Sequence, residues 1–166
     1  MSNNKNYSLN DFLPLIAIII AIVFFTIAQR IIYGWNIIAA MNDFMGSFFI
    51  VFSLFKIYNL HNFVEAFSMY DLVAKQSTIY AYLYPFIELG LGIAYLFRFQ
   101  LILTNWVTLA IMIIGSIGVA YELAQNKSIV CACLGTVFRI PMTYVTLAED
   151  VLMAIMAIFM LFYSYQ

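Results

Sequence analysis

The sequence predicts an all-α fold: an integral membrane helical bundle of five transmembrane helices with one interfacial amphipathic helix. Three observations lead there. The 166 residues are 66% hydrophobic and only 9% charged, against roughly 45–50% and 25% in ordinary soluble domains. A chain of this length folded in water has too small a core to hide that much apolar surface. The apolar residues also fall into five runs near the length of about 17–25 residues that crosses a hydrocarbon core.

The first span covers residues 12–28. One lysine and one aspartate precede it, and no A-x-A site stands before Gln29 and Arg30, so it reads as a retained signal-anchor and not a cleaved leader. The second covers 44–58, extended at its start by 37–41. The third, fourth and fifth cover 79–97, 101–123 and 142–163. Tyr33 and Trp35 before the second span, and Tyr163 and Tyr165 at the end, suit aromatic belts at the water interface.

Between the second and third spans, "NLHNFVEAFSMYDLVAKQ" sets Leu60, Phe63, Val64, Phe67 and Leu72 near one helical face. His61, Glu65, Asp71 and Lys75 lie mostly elsewhere. This pattern predicts an amphipathic helix lying on the membrane surface, with the single histidine solvated. Lysine and arginine in the connections orient the bundle. Lys5, Lys56, Lys75, Lys127 and Arg139 fall on one side, Arg30 and Arg98 on the other. Five against two places the N-terminus and the connection before the last span in the cytoplasm, in a multi-pass protein of the inner membrane. A net charge of −1 leaves no basic patch for nucleic acid. No hydrolase triad, phosphate loop or nucleotide fingerprint is present.

Ionisable residues within spans cost at least about 2.5–3.5 kcal/mol on insertion scales, so each asks for a partner or a purpose. Glu88 stands near the centre of the third span in "YPFIELGLG". Tyr84, one turn earlier, can donate a hydrogen bond to it. Pro85 removes a backbone donor, and Gly90 and Gly92 let a neighbouring helix approach. Glu88 then either carries a proton or a cation, or only holds helices together. Glu149 and Asp150 are adjacent in the last span and point about 100° apart, so they are not expected to share one site. Glu149 lies on a stripe with Met142, Thr146, Met153, Met156 and Met160. Such a line suits a soft cation such as Cu(I), or adaptable packing. Gly115, Ser116 and Gly118 mark close packing in the fourth span.

The only two cysteines, Cys131 and Cys133, stand in "CACLG", in the connection before the last span. Two thiols at i and i+2 either close a strained, easily reduced disulfide or hold a thiophilic ion. Lys127 and Arg139 favour the thiolate in both cases, and Gly135 lets the backbone turn. Cu(I), Hg(II) or Zn(II) held by Cys131, Cys133, Glu149 and Met153, and delivered by a metal-carrier protein, is the alternative to redox chemistry. A structural subunit is the third reading.

At these residues the chain resembles the MauE/DoxX family of redox-associated membrane proteins, its methylamine-utilisation branch above all. "CACLGTVFRIPMTYVTLAED" is similar to the family's C-x-C-[FL]-G segment, which stands before its last helix. The stretch from Met41 through "YPFIELGLG" resembles the first half of the family's four-helix core. The resemblance implies a DoxX-like core over 41–166, with 1–40 an N-terminal tail and added helix. It implies thiol–disulfide traffic with a thioredoxin-like partner, with Cys131 and Cys133 the redox pair; in the redox reading they exchange with such a partner or a quinone, and Glu88 or Glu149 accepts the proton each thiol releases. Leu134 stands where many relatives have Phe. One tension follows: oxidative chemistry suits thiols outside the cytoplasm, where they do not stay reduced, while the charges place them inside.

Overall fold

The computed structural model describes residues 9–125 and 144–164, and these form six α-helices with no strand among them. They are α1 (Leu9–Tyr33), α2 (Ile37–Tyr58), α3 (Leu60–Phe67), α4 (Thr78–Leu96), α5 (Leu101–Ala124) and α6 (Tyr144–Ser164). Four of them, α1, α2, α4 and α5, are long and apolar enough to cross a membrane. The fifth expected span coincides with α6, 21 residues long and rich in leucine, methionine and phenylalanine.

The helices start where the chain supplies caps. Asn36 and Ser77 are extended, and their side chains accept hydrogen bonds from Ala39 N and Tyr80 N at the starts of α2 and α4. The second span and its extension at 37–41 are one helix, α2. Asn42 turns its amide back to the Ile38 carbonyl at 3.0 Å, and Asp43 meets Arg30 of α1 at 2.6 Å. Both polar groups are thereby tolerated inside an apolar helix.

Consecutive long helices run antiparallel. Lys56 and Phe49 of α2 face Glu88 and Tyr95 of α4. Gly115 of α5 faces Asp150 of α6, while Trp106 and Leu109 lie against Ile158 and Leu161. At the α4–α5 end the Tyr95 hydroxyl donates to Asn105 Oδ1 at 2.8 Å and lies 3.0 Å from the Thr108 hydroxyl, all three buried. Helix α1 leans on α2 and leaves most of its surface outside the bundle.

The closest approach is between α2 and α4. A Cβ on Gly92 would lie 2.9 Å from the Ile50 backbone nitrogen and 3.0 Å from the Gly46 carbonyl oxygen. Small residues bring helix backbones together in this way where lipid supplies no hydrophobic drive. Gly90, expected to share that role, faces open space instead. Of the fourth-span glycines, Gly118 packs against the Tyr70 carbonyl and Gly115 against Asp150.

The amphipathic segment departs from expectation. It is helical only from Leu60 to Phe67, followed by turns to Gln76. Its apolar side does not lie in the membrane surface. Phe63, Val64, Phe67, Tyr70 and Ala74 are buried against the bundle, while His61 and Glu65 are exposed. Gly118 makes this seat possible, because only a residue without a side chain admits the Tyr70 carbonyl. Asp71 holds the turn by accepting from Val73 N and Ala74 N at 2.9 and 2.8 Å. Burial pushes its carboxyl above the usual range, opposed by those two bonds and by Lys75.

Gly92→Leu forces backbone against side chain at the α2–α4 contact and is expected to cost about 1–3 kcal/mol. Gly90→Ala meets nothing and should be neutral or stabilising by about 0.5–1 kcal/mol. Thermal unfolding of the two variants in detergent compares them directly.

Candidate functional site

Three carboxylates and one ammonium meet inside the bundle. Lys56 lies in the last turn of α2 yet is only 7% exposed, and its Nζ contacts both oxygens of Glu88, at 2.6 and 2.5 Å. Glu88 is itself 3% exposed. The pair is held between aromatic rings. Nζ sits 5.1 Å from the centroid of Tyr84 and 5.6 Å from that of Phe63, within cation–π range. Phe67 packs on Tyr84 at 4.4 Å and on Phe63 at 5.0 Å, and Phe48 stacks on Phe52 at 4.0 Å. Tyr84, a turn from Glu88 on the same helix, lines the same cavity as its carboxylate.

A cavity of about 40 Å³ opens beside the pair, lined by Lys56, Tyr84, Glu88, Glu149 and Asp150 among the aromatic walls. This is room enough for water. Glu149 and Asp150 therefore do share a site, contrary to the reading of their 100° separation. The cavity is wide enough to receive both sides of α6, and Gly115 of α5 leaves space for the Asp150 carboxylate. Glu149 Oε1 is buried with no hydrogen-bond partner among the described residues. Lys56 acts electrostatically on both α6 carboxylates as well as on Glu88.

Lys56 is the residue that sequence reasoning misplaced. It stands four residues before "LHN" and was counted as a connection charge, whereas it is a buried partner of Glu88. Removing it leaves four lysines and arginines against two in the orientation count. The signal was available: "FSLFKIY" is apolar on both sides of the lysine, and a buried acid in the next span calls for a cation.

The other expected site residues are divided. Cys131, Cys133 and Met142 lie outside the described residues, as does the Thr146 side chain. Met153 and Met160 are packed in the core and Met156 lies against it, so the stripe beyond Glu149 is filled by helix packing. Among the described residues no three His, Cys, Asp or Glu side chains gather as metal ligands. A separate ion pair, Lys75–Glu122 at 2.8 Å, ties the turn after α3 to α5.

Removing one partner of a buried ion pair leaves a charge without compensation, at about 3–5 kcal/mol. Lys56→Met is expected to cost that much, because it strands three carboxylates. Glu88→Gln should cost less, since Glu149 and Asp150 remain beside the ammonium. The double variant should be more stable than Lys56→Met alone. Unfolding in lipid nanodiscs gives all three values.

Two comparisons find nothing: no curated protein and no solved structure matches the chain. The third does. Residues 34–163 match the family described as methylamine utilisation protein MauE. The match begins in the connection after α1 and runs nearly to the end of α6, so it takes in Lys56, Glu88, Glu149 and Asp150. With over three quarters of its length matched and four helices fit to span a bilayer, the chain belongs to the MauE family of multi-pass membrane proteins.

Proposed function

We propose that this MauE-family protein is a thiol-redox component of the inner membrane, in which Cys131 and Cys133 exchange electrons with a thioredoxin-like protein or a quinone. The family's name connects it to methylamine utilisation, where the reading is support for disulfide formation in a client. Oxidising the two thiols to a disulfide releases two electrons and two protons. A partner disulfide takes up both as a dithiol, and a quinone takes up both as a quinol.

One observation carries the reading: the ionisable cavity lies at the end of the bundle from which the cysteine connection departs. That connection leaves α5 at Ala124 and enters α6 at Tyr144, and Glu149 follows five residues later. Lys56 lies at the same end, in the last turn of α2. Carboxylates able to take protons thus lie toward the end of the bundle at which α5 finishes and α6 begins, and Lys56 supplies the opposite charge. Of the two expected acceptors, Glu88 is occupied by Lys56 on both oxygens, which leaves the role to Glu149, with Asp150 beside it. The side of the membrane follows the same proposal. Exchange with an oxidising partner places the connection outside the cytoplasm, against the four-to-two charge count.

Cys133→Ser should leave Cys131 as a stable mixed disulfide with a thioredoxin-like protein, seen as a reductant-sensitive band after acid quenching. Impermeant maleimide should label the thiols in intact cells. Protected thiols, no adduct, and tight Cu(I) or Zn(II) binding that either Cys→Ser change removes would replace redox exchange with metal handling.

A further inference from the structure

The cavity at Lys56 does not balance its own charge. Lys56 brings one positive charge, and Glu88, Glu149 and Asp150 bring three carboxyl groups into one enclosed space of about 40 Å³. The Lys56–Glu88 pair is neutral in itself. The two α6 carboxyl groups are therefore the excess. They are neighbours in sequence, open on the same cavity, and Glu149 Oε1 has no hydrogen-bond donor among the described residues.

Among the described residues, the surroundings supply no second cation. From α2 the charged group lining the cavity is Lys56; from α4 come Glu88 and the phenol of Tyr84. The turn after α3 brings Tyr70 and the buried Asp71, another acid, which acts on Asp150. From α5 come Met112 and Gly115, and Lys75 nearby is already engaged by Glu122 at 2.8 Å. Two adjacent carboxylates in such a place do not both ionise readily, since each charge disfavours the other. An uncompensated charge there costs several kcal/mol.

We infer that Glu149 and Asp150 form a proton-binding pair, holding at least one exchangeable proton in the cavity beside the Lys56–Glu88 ion pair. The ion pair fixes where the proton goes. Lys56 contacts both Glu88 oxygens, which favours the carboxylate form there, so the proton is assigned to α6 and not to α4. Tyr84 and the phenylalanine walls keep bulk water away, and the space beside them admits the water needed for exchange. The described part of the site is built from α2, α3, α4, α5, α6 and the turn after α3, and the proposal does not depend on the cysteine chemistry proposed above.

Dicyclohexylcarbodiimide tests this, because it enters lipid and adds to protonated carboxyl groups in apolar surroundings. The full-length protein in nanodiscs is treated over a range of pH, and adducts are located by peptide mass spectrometry. The expected adduct is on Glu149 or Asp150, declining as pH rises, with Glu88 unmodified. Lys56→Met should bring Glu88 into the modified set. Should that variant fail to fold, Glu149→Gln provides the second arm: modification should persist, confined to Asp150. Labelling should be unchanged in the Cys131→Ser/Cys133→Ser protein, so a failed thiol exchange would leave this site standing. Modification of Glu88 in the unaltered protein, or none on α6 at acid pH, overturns the proposal. So does loss of labelling on adding sodium or potassium at constant pH, which would make the occupant a metal cation.

Discussion

The Lys56–Glu88 ion pair is the constraint around which the bundle is arranged. An ammonium and a carboxylate buried in an apolar helix pair must face each other, because each alone costs several kcal/mol in such surroundings. That requirement sets the rotation of α2 about its axis and the register of α4 against it. The glycine contact at Gly46 and Gly92 lies farther along the same seam, about one turn from Glu88 on α4 and about three turns from Lys56 on α2, and sets how near the two backbones come. One contact specifies orientation and the other distance. The apolar remainder of the seam follows from both, with Phe49 stacked on Tyr95 beside the glycines.

The same pair explains why α3 is drawn inward. The lysine head needs partners on the faces that Glu88 does not cover, and the rings of Phe63 and Tyr84 supply them. A helix that would otherwise lie on lipid becomes the lid of the ionisable end. Gly118 and the Asp71 turn hold the segment there. Polar groups elsewhere in the bundle are paired differently. The Tyr95, Asn105 and Thr108 cluster at the opposite end uses neutral hydrogen bonds alone.

Much of this was legible in the chain. Hydropathy marks the spans, because lipid demands apolar side chains over a fixed length, and the helices agree with it to within a few residues. Tyr84 and Glu88 were legible as a pair because both lie on one helix, where spacing gives direction. The contacts that were not legible join different helices. Lys56 and Glu88 are 32 residues apart, and a lysine near a span's end reads as a loop charge until the neighbouring helix is in place. Amphipathic spacing in 60–72 showed that one side is covered but not by what, and protein takes the place assigned to lipid. For Glu149 and Asp150 the angle between neighbours was correct, but not the breadth of the space they enter.

Helix α1 stands apart from these constraints. It touches the bundle through α2, with Arg30 held by Asp43 at 2.6 Å and the rest of its surface turned outward, and the family match starts just after it, at residue 34. A surface that meets only lipid is selected for oiliness and length, not for the identity of any one side chain. Substitutions there that keep length and oiliness are therefore expected to be tolerated, provided Arg30 keeps its anchor on α2. The chain thus joins two kinds of constraint: partnered charge across the seam of α2, α4 and α6, and bulk hydrophobicity along its first helix.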